Sequence, residues 1–137
     1  MKNTVLPLSL FAALAASAGC QALQEPVCDS QQLAPIVQAT GPRTATVNQL
    51  VSYALSVKLG NNCGAFDTLV VSTGNNKTGP ITQQIGARGH YVGCSCQADT
   101  MAVTTATYQF KPSRAGTYYL QFLSRQSRFL IDTLVVQ

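Results

Sequence analysis

Charged residues are scarce in this sequence, and so are the patterns that enzymes usually need. The chain of 137 residues has no Trp, one His, nine Lys or Arg and five Asp or Glu. No spacing brings two carboxylates together by local geometry, and the sequence has no serine nucleophile elbow. The acids are spread along the chain, at Glu25, Asp29, Asp67, Asp99 and Asp132. We therefore predict a protein that is not an enzyme and that uses no cofactor.

The basic residues never form a run, and the formal net charge at pH 7 is only +4. A surface that binds nucleic acid needs Lys and Arg clustered on one face. We therefore predict no nucleic-acid partner. Four basic residues that could meet near one end of the fold are interpreted as a solvated rim: Lys111, Arg114, Arg125 and Arg128.

A long hydrophobic run is also missing. The longest one, Val5 to Ala16, has 12 mostly apolar residues and follows Lys2. A membrane-spanning helix needs about 20 apolar residues, whereas a basic residue, a short apolar run and a small-residue end are typical of a secretory signal peptide. The sequence therefore predicts export.

The signal peptide can be cut at two places. Ala16-Ser17-Ala18 predicts a cut that releases a soluble protein, whereas Ser17-Ala18-Gly19-Cys20 resembles the lipobox of bacterial lipoproteins, in which the cysteine receives a diacylglyceryl thioether. Ser17 departs from the lipobox pattern, which usually has an aliphatic residue there. The chain has five cysteines, and lipidation of Cys20 would leave an even number for pairing. We therefore predict a lipoprotein signal peptide at 1–19, a tether at 20–34 and membrane attachment through the lipid on Cys20.

The four remaining cysteines are Cys28, Cys63, Cys94 and Cys96. An oxidising compartment favours disulfide bonds between them. Cys94 and Cys96 are separated by one residue, which constrains them too tightly for ordinary disulfide geometry. Two pairings remain open: Cys28 with Cys94 and Cys63 with Cys96, or Cys28 with Cys96 and Cys63 with Cys94.

A metal site is the alternative use of these sulfur atoms. In an extended strand, His90, Cys94 and Cys96 lie on one face, and with Cys63 they could present four ligands to zinc or copper. The Cys-x-Cys spacing differs from the Cys-x-x-Cys of common zinc knuckles. We therefore predict no metal site and keep a metal-binding or redox protein as an alternative.

The clearest structural signal is an alternation of apolar and polar residues. From Val51 to Leu59 every second residue is apolar, which is the period of a strand with one buried face. Other short candidate strands follow at intervals of about ten residues, separated by Gly, Pro and Asn, and no helical periodicity is seen after the signal peptide. We predict one domain at 35–137, an antiparallel β-sandwich of about seven to eight strands.

The segment FKPSRAGTYYLQF, Phe110 to Phe122, resembles the turn into the sixth strand of immunoglobulin-like domains. The resemblance implies an immunoglobulin-like sandwich in which Tyr118 is the corner tyrosine. Leu120 then stands where an antibody domain has its second core cysteine, and Leu55 is the candidate for the opposing site. The resemblance thus implies that apolar packing replaces the central disulfide.

A wider resemblance is carried by TGPRTATVNQLVSYALSV, NNCGAF, YVGCSC, FKPSRAGTYYLQF and DTLVV. Over nearly all of residues 36–137 the chain is similar to a group of small uncharacterised exported lipoproteins of Gram-negative bacteria. The resemblance supports the architecture and leaves the function open. We predict an envelope protein that is lipid-anchored in the outer membrane and faces the periplasm or the outside. We predict a non-catalytic binding or assembly module whose partner is an envelope protein or polysaccharide. The alternative is a purely structural envelope protein.

Three segments resemble an O-glycosylation acceptor of Gram-negative bacteria, in which Asp is followed by Thr or Ser and an aliphatic residue. Thr and Leu also favour strands without any modification. The candidate acceptors are Thr68, Thr100 and Thr133.

Overall fold

The computed structural model describes residues 28–74, 79–98, 102–125 and 127–137. This part of the chain is all-β, as predicted, and has no helix long and apolar enough to cross a membrane. It contains nine strands: β1 (Asp29–Ala34), β2 (Ile36–Thr40), β3 (Thr44–Ala45), β4 (Val51–Lys58), β5 (Gly64–Gly74), β6 (Ile81–Val92), β7 (Val103–Phe110), β8 (Gly116–Arg125) and β9 (Arg128–Val136).

The strands form two sheets. The smaller sheet has the order β2-β4-β7, and the larger has the order β1-β6-β8-β9-β3 with β5 also paired to β6. The strands outnumber the seven to eight predicted because the first part of the described chain forms three short strands, β1, β2 and β3. These strands alternate between the two sheets. The predicted tether ran to residue 34, but the structure includes residues 29–34 in the larger sheet as β1.

Most strand pairs are antiparallel, as predicted, but β6 with β8 and β3 with β9 are parallel. The first of these follows from the chain path. Between β6 and β8 the chain makes one strand, β7, in the opposite sheet, so that β6 and β8 run in the same direction. This pair departs from the two antiparallel sheets of an immunoglobulin domain, and the immunoglobulin-like assignment stays a prediction.

The core lies between the sheets. The alternation predicted for β4 is present, because Val51, Tyr53, Leu55 and Val57 are buried and their neighbours are not. Leu55 and Leu120 are both fully buried in the same core, on opposite sheets, as the resemblance implied.

Tyr118 has the geometry of a corner tyrosine. Its ring is buried, and its hydroxyl donates a hydrogen bond of 3.0 Å to the carbonyl oxygen of Arg114, four residues upstream. The bond holds the turn that leads from β7 into β8.

We expect alkaline pH to unfold the protein through two core tyrosines. The hydroxyl of Tyr53 donates to the carbonyl oxygen of Pro42, and that of Tyr108 donates to the Oε1 of Gln83, both at 2.8 Å. Burial raises the pKa of both tyrosines from 10.0 to about 12, and for Tyr53 the charge of Asp132 adds to the rise. A tyrosine whose pKa is raised by folding stabilises the folded state fully at pH values below its unfolded pKa. As the pH rises through the range between the two pKa values, from about 10 to about 12, this contribution is lost.

Denaturant unfolding at a series of pH values, with tyrosinate absorbance recorded in parallel, checks this expectation. Tyr108→Phe should remove part of the pH dependence. Tyr119→Phe on the exposed face of β8 is the matched control. Ionisation of Tyr53 and Tyr108 near pH 10 with no loss of stability would contradict it.

Candidate functional site

The four described cysteines form two disulfide bonds, Cys28 with Cys94 and Cys63 with Cys96. This is one of the two pairings that the sequence left open. Cys28 precedes β1, Cys63 precedes β5, and the two partners follow β6, so both bonds lie at one end of the larger sheet. The bonds therefore fasten the start of the folded body and the start of β5 to the end of β6.

Gly93 makes this arrangement possible. Its φ of 134° is in the region that favours glycine, and a Cβ at this position would lie 3.2 Å from the Sγ of Cys63. Its amide donates a 2.8 Å hydrogen bond to the carbonyl oxygen of Cys28. Gly93 therefore lets the chain turn from β6 into the disulfide segment.

His90 is paired with an aspartate. Its Nε2 lies 2.6 Å from the Oδ1 of Asp29, and both side chains are partly exposed. All four described cysteine sulfurs are in disulfides, and the described residues contain no group of three metal-ligating side chains. The disulfides do not support the metal-binding or redox alternative, because they leave no thiolate there to bind a metal.

An apolar hollow opens where β8 and β1 pair with successive parts of the same edge of β6. β8 pairs with residues 81–85 of β6, and β1 pairs with residues 87–92 on the same side, because β5 covers the other side. Gly86 lies between the two pairings. Past Phe122, β8 no longer pairs with β6 and instead continues into the hairpin with β9. The gap between the end of β1 and this hairpin forms the hollow.

The lining of the hollow is mostly hydrocarbon. Its volume is about 600 Å³, and its apolar lining residues are Leu33, Ala34, Pro35, Leu123 and Phe129. A smaller hollow of about 190 Å³ continues from it over Val70, Ile85 and Gly86 and shares three of the same side chains. Leu33 is 59% exposed. Contiguous exposed apolar surface of this kind is typical of binding sites.

Gly86 lies at the floor of the smaller hollow and keeps it low. A Cβ at this position would lie 3.6 Å from the Cδ2 of Leu33 and 3.9 Å from the Cδ2 of Leu123, which is ordinary van der Waals contact. The backbone there can therefore carry a side chain, but a large one would occupy the smaller hollow.

Two arginines lie at the rim of the hollow. Arg125 lines it, and Arg128 is directly opposite Arg125 in the β8–β9 hairpin. Both are exposed, and the ion pair between His90 and Asp29 involves neither. Like charges placed opposite each other destabilise a strand pair, so this pair has a cost to the fold that an anionic partner would relieve.

The other two basic residues that the sequence grouped with these arginines lie elsewhere. Lys111 and Arg114 precede β8, whereas the arginine pair is at its far end, about 30 Å away for a ten-residue strand. They line a cleft of about 340 Å³ between the sheets. Polar groups of this cleft already bond within the chain, since the side chain of Arg114 donates to Gly79 and Gln83 accepts from Tyr108.

The remaining predicted site residues are placed as follows. Thr68 and Thr133 are exposed on the outer face of the larger sheet, where a glycan could be attached. Thr100 and Cys20 lie outside the described residues. Glycosylation and lipidation therefore stay predictions.

The hollow is not apparent from the sequence. Its walls come from Leu33, Leu123 and Phe129, in segments far apart along the chain. The available signal was Gly86 inside a strand pattern, since such a glycine often marks a close approach or an irregularity in the sheet.

Comparison with protein families, curated protein sequences and solved structures finds no match for this chain.

Proposed function

We propose that this protein is a lipid-anchored, non-catalytic binding or assembly module of the bacterial cell envelope and that it holds its partner at the apolar hollow. The observation that carries the proposal is the gap in the larger sheet, where Leu33, Leu123 and Phe129 are presented to the outside. A domain with a purely structural role would be expected to close this gap with larger side chains, because exposed apolar surface favours association with other molecules.

The disulfides support the location of the protein. Two disulfide bonds in a small domain indicate an oxidising compartment outside the cytoplasm. The proposed anchor is the lipid on Cys20, in the outer membrane, with the folded domain in the periplasm or at the surface. The bond between Cys28 and Cys94 would then mark the point at which the tether meets the body.

Two experiments in the native host test the proposal. Mass analysis of the N-terminal peptide should show a lipid on Cys20, and Cys20→Ala should move the protein out of the membrane fraction. An unmodified chain that begins at Gly19 would contradict the anchor.

A photo-crosslinking residue at Leu123 should then form an adduct with an envelope component, whereas one at Thr107 on the outer face of β7 is the control. If Leu123 and Thr107 give equal adducts, or if neither gives one, the hollow is not a binding site. The purely structural alternative predicts that result.

A further inference from the structure

We propose that the hollow and its two arginines bind an anionic lipid of the membrane, with the hydrocarbon chain in the hollow and the headgroup on Arg125 and Arg128. The inference deepens the proposed function, because it names the class of partner for the same site.

The hollow suits hydrocarbon. Its walls and floor are the side chains of Leu33, Leu123 and Phe129 together with Ala34 and Pro35. The polar side chains of its lining, those of Ser124, Arg125 and Ser127, all belong to the hairpin end. The hollow is therefore apolar along its length and polar at one end, which is the arrangement of an acyl chain and its headgroup.

The arginine pair suits an anion. Guanidinium groups bind phosphate and carboxylate with two parallel hydrogen bonds. Of the described acids, Asp29 bonds to His90, while Asp67 lies on β5 and Asp132 faces the smaller sheet beside Arg43. Within the described ranges, the lining of the hollow contains no acid that would neutralise Arg125. A neutral apolar partner would leave the repulsion between the two arginines in place, whereas an anionic headgroup would remove it.

A lipid is favoured over another anionic partner because the bilayer is within reach. The tether from Cys20 to Cys28 spans at most about 29 Å when extended. The strand β1 leads from Cys28 to Leu33 and Ala34, a distance of about 20 Å. If Cys20 is in the membrane, the hollow can therefore be brought to the membrane surface without unfolding any strand.

The test uses the full chain with Cys20→Ser, exported and purified, so that the anchor does not contribute. Flotation with vesicles of phosphatidylcholine alone, and of phosphatidylcholine with phosphatidylglycerol in equal parts, measures binding. We expect binding to the anionic vesicles and little to the neutral ones. Replacing both arginines, R125Q with R128Q, should weaken binding about thirtyfold. The matched control, R43Q with K111Q, removes the same charge elsewhere and should weaken it less than about threefold.

Gly86→Val tests the apolar half separately. It keeps both arginines but fills the floor of the smaller hollow, which continues from the larger one and shares Leu33, Leu123 and Phe129 with it. It should weaken binding about tenfold, the loss expected if about two methylenes are displaced. Thermal unfolding and the count of free thiols verify that each variant is folded and oxidised.

Three results would overturn the inference: no binding to either kind of vesicle, equal losses in the arginine pair and its control, or unchanged binding in Gly86→Val. None of these results would contradict the proposed function, because the adduct formed at Leu123 in cells could still contain a protein or a polysaccharide.

Discussion

Replacing Phe122 by Ala should lower the free energy of unfolding by about 3–5 kcal/mol, because it removes a large side chain from the centre of the core. Phe122 is completely buried. Its ring centroid lies 5.6 Å from that of Tyr53 and 6.5 Å from that of Tyr108, which belong to two strands of the opposite sheet. Its backbone pairs with Ile85 on β6 at the end of the parallel pairing.

The size of this effect is large for a domain of this kind, since the net stability of small proteins is about 5–15 kcal/mol. Urea unfolding of the oxidised protein, followed by circular dichroism, measures it. Phe129→Ala is the matched control, because Phe129 is only partly buried and lines the hollow. We expect the control to lose less than half as much free energy. Equal losses would show that Phe122 is not at the centre of the core.

Loss of the Cys28–Cys94 bond should lower the free energy of unfolding by about 4 kcal/mol, since the bond joins residues 66 apart and restricts the unfolded chain. Loss of the Cys63–Cys96 bond, with a separation of 33, should cost slightly less. Paired replacement of both cysteines of one bond by Ala, with unfolding in urea, measures each contribution and leaves no free thiol.

The two bonds should differ more clearly in where they act. The first five residues of β1, Asp29 to Leu33, are exposed, and Ala34 is its one buried residue. Without the Cys28–Cys94 bond, β1 has few apolar contacts that keep it in the sheet. We expect amide hydrogen exchange to rise along β1 in that variant and to stay low there in the Cys63–Cys96 variant. Equal hydrogen exchange along β1 in the two variants would contradict a local role of the Cys28–Cys94 bond.

Loss of the Cys28–Cys94 bond should also affect the hollow, because Leu33 on β1 forms one of its walls. If β1 detaches, the hollow loses that wall while Arg125 and Arg128 stay in place. The Cys28–Cys94 variant should therefore lose apolar binding at this site, which Gly86→Val blocks by a different route.

The sequence alone determined the local features of the fold. The buried face of β4 followed from its alternation, because successive side chains of a strand point to opposite faces. The disulfide bonds followed from the number of cysteines together with the predicted export of the protein. The corner at Tyr118 followed from a short segment, since its hydrogen bond reaches only four residues back.

Only the tertiary structure decided what depends on distant segments meeting. The pairing of Cys28 with Cys94 required β1 to lie on β6, and the parallel pair of β6 and β8 required β7 to cross to the other sheet. The hollow arose because β1 and β8 end on the same side of β6 and leave Gly86 uncovered. Side-chain periodicity specifies which face of a strand is buried, but it does not specify which strand becomes its neighbour or where that neighbour stops.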